Sequence, residues 1–415
     1  MFKTATEAAD WIQGARYKGQ KNGLENMRAL LTALGNPQNQ FRSVHIAGTN
    51  GKGSTAAYTE SILRQAGYRT GMYTSPYLIT YNERVQVMGK PIPDADLISL
   101  TSRIRQVTET LLEKNVFPTT FELGTALAFA YFAQQQVDFA VIEVGIGGRL
   151  DSTNVILPEI ALVAAIGLDH TKILGDTVEA IAWEKAGIFK PGVPCVVQDQ
   201  QDSILQVFRE TARERGCPLT IAPMPEILEQ GAHGAKFRLD GIDYETRLCG
   251  SHQLKNASLA ICAMKNLGID QAAICAGIAR AKWPCRLEWV NGVLIDGAHN
   301  PQGARALRDY LETCFPGEKI TLVTGMMRDK QMEACAAILA PLCKKVICTA
   351  VEESRAASPE ELAEVYAREG AAVQAVAGVG NALEQAMAED GIRVFAGSLY
   401  IAGAVRELLA GSECF

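Results

Sequence analysis

The chain has 415 residues, 48% of them hydrophobic and 21% charged, with a formal net charge of −6. That length exceeds what one hydrophobic core normally serves and points to two domains, while the acidic balance argues against a nucleic-acid binder. No stretch reaches the about 18 uninterrupted apolar residues of a membrane span. The opening "MFKTATEAADWIQGARYKG" carries acids and lacks the apolar centre of a signal peptide, so a cytoplasmic protein without membrane partners is expected. All eleven cysteines lie from Cys195 to Cys414 and none form C-x-x-C pairs. They read as small buried hydrophobes in a reducing compartment.

In chain order, two helical patterns at 6–15 and 23–34 come first. Apolar strand-like runs follow at 42–47, 69–74, 139–144 and 159–167, with helical patterns at 54–66, 94–114, 122–135 and 176–186. This alternation predicts an α/β fold with a parallel sheet covered by helices on both faces. Another strand is expected at 193–198 and a hairpin within 235–248. A second α/β series starts near Arg286, with strands at 292–297, 319–325, 344–350, 371–377 and 392–397. One of its helices is announced by Ser358 at the N-cap, Pro359 at N1 and Glu361 at N3. The boundary is expected near "KWPCRLEW" (282–289), giving domains 1–284 and 285–415. There is no internal repeat and no low-complexity segment.

Open parallel sheets bind ligands outside the carboxyl ends of their strands. Past the first strand stands "HIAGTNGKGST" (45–55), with Asn50, Gly51, Lys52, Gly53 and Ser54. Small residues let backbone amides turn toward phosphate oxygens, the following helix adds its positive end, and Lys52 would neutralise the β and γ phosphates. The spacing departs twice from G-x-x-x-x-G-K-[ST]: Gly48 precedes Gly51 by only three positions, and Gly53 separates Lys52 from Ser54. The bland alternative is a tight strand-to-helix turn. Past the second strand comes Ser75, near the end of the third is Glu143, and past the fourth are Asp169 and His170. A carboxylate at a buried strand end is costly unless paired or bound to metal, and hard oxygen ligands suit Mg²⁺. His170 alone would read as a structural hydrogen-bonder.

The 176–186 helix is expected to open on a capping box from Asp176 to Glu179 and to stop at Gly187. Its apolar face runs Val178, Ile181, Ala182 and then Lys185, where an apolar residue should stand. Spacing leaves two readings open, a functional amine or a lysine snorkelling at the helix C-terminus. In the second series, Asp296, His299 and Asn300 follow an apolar strand, Pro301 starts a helix, and Ser398 follows the last strand. These are either helix caps or substrate contacts.

Taken together, "GLENMRALLTALGNPQ", "HIAGTNGKGST", "TSPYLITYNERVQVMG", "FELGTALAF", "VIEVGIGGRLDSTN", "GLDHTKILGDTVEAIAWEKAGIFKPG", "GSHQLKNASLA", "CRLEW", "DGAHNPQGA" and "GSLYIAG" resemble the folylpolyglutamate synthase/dihydrofolate synthase family. That family lies within the wider Mur-ligase-like ATP-dependent amide-bond ligases, and the likeness runs nearly end to end. It implies a P-loop ATPase-like domain followed by a smaller Rossmann-like α/β domain, with the active site in the cleft between them, and its phosphate loop has the same odd spacing. Carried over, the resemblance puts ATP on Asn50, Gly51, Lys52, Gly53, Ser54, Asn256, Arg286 and Asp296. It puts two magnesium ions on Ser75, Glu143, His170 and a carbamylated Lys185. His299 matches the neighbouring motif histidine, and Lys52, Lys185, Asp296 and His299 are the catalytic candidates. Pterin-side contacts fall on Thr119, Thr120, Phe121, Leu150, Asp151 and Ser152, with Ser398 a further substrate candidate. Where many relatives have glycine before the arginine of "RLE", this chain has Cys285, which is expected to alter the local backbone and leave Arg286 in place.

The implied reaction adds L-glutamate to dihydropteroate or a reduced folate through an acyl phosphate, in a monomer. The nearest rivals are another Mur-type amino-acid ligase, which would need an additional N-terminal domain before Gly48, and a nucleotide-dependent switch, which would need neither Lys185 nor "DGAHNP".

Overall fold

The computed structural model describes residues 2–15 and 23–411; Cys414 lies outside them. The chain divides into two compact units, 1–225 with 255–281, and 226–254 with 282–415. A cut at 284/285 in the linear sequence therefore leaves 226–254 on the other side from the unit it packs with.

The first unit is built on an eight-stranded sheet of β1 (Arg42–Ala47), β2 (Thr70–Tyr73), β3 (Val85–Val87), β4 (Lys90–Pro91), β5 (Phe139–Glu143), β6 (Ile160–Val163), β7 (Cys195–Gln198) and β8 (Leu219–Ala222), in the order β4-β3-β2-β5-β1-β6-β7-β8. The strands from β2 to β8 in that order pair in parallel. β3 and β4 run antiparallel at one edge. The central strands are buried along their whole length, as strands covered by helices on both faces must be. One apolar cluster joins Ala140 and Ile142 of β5 to Leu123, Leu127 and the helices before β1. Another joins Ala161 and Val163 of β6 to Ile181, Ile188, Phe189 and Phe208. The parallel arrangement brings the carboxyl ends of β2, β5, β1, β6 and β7 to one edge of the sheet, where the polar residues singled out in the sequence stand.

The second unit carries a six-stranded sheet and a separate three-stranded antiparallel one. The smaller sheet is β9 (Glu226–Gly231), β10 (Gly234–Leu239) and β11 (Ile242–Thr246). The expected hairpin is thus the β10–β11 pair, and β9 adds a third strand whose largely exposed residues carry no strand alternation. The larger sheet is β12 (Glu288–Val290), β13 (Val293–Ile295), β14 (Ile320–Thr324), β15 (Cys343–Cys348), β16 (Val373–Ala375) and β17 (Arg393–Ala396), in the order β12-β13-β17-β14-β15-β16. Only β12 is antiparallel. The Pro359–Arg368 helix has the expected capping box between Ser358 and Glu361. Among the described residues no helix is long and apolar enough to cross a membrane.

Candidate active site

β1 runs into the glycine loop, and the helix begins at Lys52, two residues before the expected start. Gly51 stands in the left-handed region at φ 87° and opens the helix. The first helical bond is from Thr55 N–H to Gly51 O (2.9 Å). The amides of Lys52, Gly53 and Ser54 therefore come before the i→i−4 ladder, at the positive end of the helix dipole. The loop is pinned from behind: Thr49 and Asn50 N–H both donate to Ala165 O (2.8 and 3.2 Å), and the Thr49 hydroxyl exchanges hydrogen bonds with Gly167 O and Gly167 N–H (3.0 and 3.1 Å). A Cβ at Gly51 would lie 2.4 Å from Asn256 Oδ1, so the glycine is required by space as well as by φ. Lys52 Nζ donates to Gly48 O (3.1 Å) and Thr49 O (3.3 Å) and lies 3.9 Å from Glu143 Oε1.

Glu143 ends β5 only 5% exposed. Its Oε2 accepts from Ser75 N–H (3.3 Å), so these two expected metal ligands meet. His170 follows β6 at φ 52° as the N-cap of a single helical turn, Thr171–Leu174. Its amide donates to Asp169 Oδ1 (2.9 Å), and its ring Nε2 is 4.0 Å from Asp169 Oδ2. Among the described residues no three His, Cys, Asp or Glu side chains form a metal-binding group. The expected donors instead combine a buried carboxylate, a hydroxyl, an imidazole and Lys185. Carboxylate and hydroxyl oxygens fit a hard cation that keeps waters and takes phosphate oxygens as further ligands.

Lys185 sits on the Val178–Ala186 helix, 4% exposed. The snorkelling alternative is thereby excluded, since the amine is inside. Burial lowers its pKa to about 7, Lys52 pushes in the same direction, and Asp169 and Asp151 push back weakly. Of two sequence expectations about this helix, one fails and the other holds in position but not in geometry. The N-cap is Thr177, whose hydroxyl accepts from Ala180 N–H (3.1 Å), not Asp176. The helix does stop at Gly187, its C-cap, but with φ −57° and not through a left-handed residue. The residue is glycine because a Cβ there would lie 2.4 Å from Arg149 Cα, and a Cβ at Gly148 would lie 2.7 Å from Glu184 O. The two glycines let the 145–151 loop, which follows β5, lie directly against the helix that carries Lys185. Arg149 fastens the contact: its N–H donates to Glu184 O (2.9 Å), its Nη2 to Glu184 Oε1 (2.8 Å), and its guanidinium lies 4.9 Å from the Trp183 ring centroid.

Of the expected pterin-side residues, Thr119 caps the Thr120–Gln134 helix through a capping box with Glu122. Phe121 packs against Tyr73 at 6.0 Å and against Gly145, where a Cβ would meet its ring at 2.5 Å. Leu150 is exposed and Ser152 is buried. Asp151 is committed to the loop itself. Oδ2 accepts from Gly145 and Ile146 N–H (3.1 and 3.0 Å), and Oδ1 accepts from Thr153 N–H and hydroxyl. The Thr153 hydroxyl in turn meets His45 Nε2 (2.8 Å). Burial, then Lys190, lowers the His45 pKa to about 3, so the ring is neutral.

In the second unit, Asp296 follows β13 and is buried. Oδ2 accepts from Leu287 N–H (2.9 Å) and Oδ1 from Ala298 N–H (2.8 Å). Burial raises its pKa, opposed by Arg286 and these amides. Arg286 Nη1 donates to Cys285 O (3.3 Å). His299 Nδ1 pairs with Gly297 O (3.0 Å), which makes Nδ1 the protonated nitrogen. Asn300 and Ser398 are helix caps, accepting from Gly303 N–H (2.8 Å) and Ile401 N–H (3.2 Å). Cys285 stands at φ 57°, the region glycine favours, and keeps it because its N–H donates to Glu288 Oε2 (2.8 Å), itself held by Arg406.

Sequence reading did not single out His45, Thr153 and Arg149, which brace the loop after β5, or Gln198, which donates to Asn256. Gln198, the last residue of β7, was open to the same strand-end rule that found Glu143.

Two family models match the chain: the Mur ligase middle domain over residues 46–264, and the Mur ligase glutamate ligase domain over residues 285–399. A dihydrofolate synthase/folylpolyglutamate synthase of Bacillus subtilis is 41% identical over 80% of this chain and 81% of its own. The crystal structure of a Thermotoga maritima folylpolyglutamate synthase matches with a TM-score of 0.87 at 32% identity, covering 98% of this chain and 97% of that one. A structure of E. coli FolC in complex with DHPP and ADP matches with a TM-score of 0.88 at 30% identity and covers 99% of each chain.

Two substitutions test this packing. Gly187→Ala should destabilise the protein by roughly 2 kcal/mol as Arg149 is pushed off the helix; an unchanged thermal midpoint would contradict the contact. Cys285→Gly should be more stable than Cys285→Ala by about 1 kcal/mol, since both remove the thiol and only glycine relieves the left-handed backbone; equal midpoints would show that φ is not the issue.

Proposed function

Because the chain belongs to the folylpolyglutamate synthase/dihydrofolate synthase family, we propose that it is an ATP-dependent ligase that adds L-glutamate to reduced folates and to dihydropteroate through an acyl phosphate. The observation that favours ligation over a nucleotide switch is Lys185, an amine enclosed near Lys52 where a phosphate-binding loop alone would need none.

The acceptor's carboxylate oxygen attacks the γ-phosphorus of ATP, ADP leaves, and an acyl phosphate forms. The amine of L-glutamate then attacks the acyl carbon, the amide forms, and inorganic phosphate departs. Asn50 to Ser54 hold the phosphates, with Asn256, Arg286 and Asp296 as further nucleotide contacts. An ammonium has three donors. Two of those on Lys52 are directed at Gly48 O and Thr49 O, which fixes the group and leaves one for a phosphate oxygen. Ser75, Glu143, His170 and carbamylated Lys185 would hold two magnesium ions, which when bound neutralise phosphate charge. CO₂ adds to a neutral amine, and a pKa of about 7 keeps much of Lys185 neutral at physiological pH. The carbamate replaces a cation disfavoured beside Lys52 with an anion that Lys52 attracts. His299, held through Nδ1 by Gly297 O, and Asp296 orient the incoming glutamate or the phosphate, the amine's proton is released as the amide forms, and Ser398 stands at the start of the neighbouring helix. Thr119, Thr120, Phe121, Leu150, Asp151 and Ser152 form the acceptor side. There Phe121 offers a ring for a flat heterocycle, while Asp151 shapes the loop.

Phosphate release from ATP should rise when L-glutamate is present with dihydropteroate, and with tetrahydrofolate in its place; indifference to both acceptors would overturn the reading. Lys185→Ala and Glu143→Ala should each lose at least about 100-fold in turnover, and wild-type turnover would remove that residue from the site. At fixed dissolved CO₂, activation of CO₂-depleted enzyme should quicken roughly fivefold between pH 6 and pH 7 as Lys185 loses its proton; a rate flat across that range would argue against a lysine amine as the acceptor.

A further inference from the structure

We propose that Thr153 is a positioning residue for the acceptor substrate, its hydroxyl held between His45 and Asp151 so that the 145–151 loop takes its place from β1, the strand that runs into the phosphate loop. The inference rests on the reading that this loop lies on the acceptor side.

His45, Thr153 and Asp151 are all buried. Both oxygens of the Asp151 carboxylate take backbone donors, Oδ2 those of Gly145 and Ile146 and Oδ1 that of Thr153. The carboxylate is therefore the acceptor for the Thr153 hydroxyl as well, at 2.5 Å. A hydroxyl has one proton to donate. With that proton directed at Asp151, Thr153 Oγ1 accepts from His45, whose Nε2 lies 2.8 Å away. The direction of the chain is thus fixed: His45 Nε2–H donates to Thr153, and Thr153 O–H donates to Asp151, which gathers the loop amides. The His45 ring is neutral, so its single N–H is the one used here. Its Nδ1 is left buried with no protein hydrogen-bond partner. An apolar side chain at this strand position would avoid that cost, and the donation to Thr153 is what a histidine offers there instead. His45 stands within β1, in register with Ile142 of β5 on one side and Ala161 of β6 on the other. The same strand ends at Ala47 and leads into Gly48. One strand therefore carries both the loop read as holding ATP and the imidazole to which the acceptor-side loop is tied. Attack of the acceptor carboxylate on the γ-phosphorus needs the two substrates held in register, where a small misplacement is costly.

Steady-state KM values for tetrahydrofolate and for ATP, with kcat, are measured on the full-length protein at saturating L-glutamate. Thr153→Val nearly keeps the shape and removes the hydroxyl, whereas Thr153→Ser keeps the hydroxyl. The expected result is a KM for tetrahydrofolate about tenfold higher in Thr153→Val and within about twofold of wild type in Thr153→Ser, with the KM for ATP unchanged in both. Partial unfolding would lower kcat and leave both KM values alone, so that pattern overturns the proposal, as does an equal rise in the two KM values. Leu150→Ala, a change at an exposed position of the same loop, tests the reading beneath it. If Leu150→Ala raises the KM for tetrahydrofolate and Thr153→Val does not, the positioning role is wrong and the acceptor-side reading stands. If neither raises it, the acceptor-side reading fails and the proposal falls with it. Should Thr153→Val not fold, His45→Leu and His45→Gln decide. A raised KM for tetrahydrofolate in His45→Leu that is restored in His45→Gln, which keeps an N–H donor, supports the proposal, and equal values in the two overturn it.

Discussion

An amine buried beside another amine is the constraint from which the first unit's site follows. Lys185 is enclosed at the carboxyl edge of a parallel sheet, near Lys52. A charged ammonium there is opposed by burial and by like charge together, and Asp169 and Asp151 only partly offset this. Such an arrangement persists in a folded protein when the lysine spends its working life in another form. A neutral amine open to CO₂ is one such form, and it would leave a carboxylate-like group on the same edge as Glu143.

The rest of the edge is built to hold that lysine still. The loop after Glu143 lies against the last turn of the Lys185 helix because Gly148 and Gly187 have no side chains to keep them apart. Arg149 fastens the loop from outside through Glu184 and Trp183. Asp151 folds it from inside through the amides of Gly145 and Ile146, and reaches β1 through Thr153 and His45. The result ties the strand before the phosphate loop to the strand that ends in Glu143. These bonds fix the backbone of the loop, the kind of support that preorganised electrostatic sites rely on.

Element order and strand placement were legible in the sequence because the central strands are apolar on both faces and alternate with helical periods. The glycine loop, Glu143, Ser75 and Lys185 were legible as polar residues at strand ends, or as one polar residue breaking an apolar helical face. The remainder was not, for physical reasons. β9 is exposed and carries neither period. Asp176 looked like a cap because caps are read from residue type, and Thr177 competes with it at the next position with equal chemistry. Gly187 is the helix stop that it looked like, and only the approach of Arg149, 38 positions earlier in the chain, reveals that it is also a contact. Cys285 gives no sign that it takes φ 57°, because the bonds holding it come from Glu288 and Arg406. His45 and Gln198 read as ordinary strand residues until their partners on other elements are known.

The measurement that goes most directly to the buried amine is carbon-13 NMR of the full-length protein equilibrated with ¹³C-bicarbonate near pH 8, beside the Lys185→Ala variant. The account predicts a carbamate resonance in the wild-type protein that disappears in Lys185→Ala. A wild-type spectrum with no carbamate signal, from protein that is active in the same buffer, would contradict it.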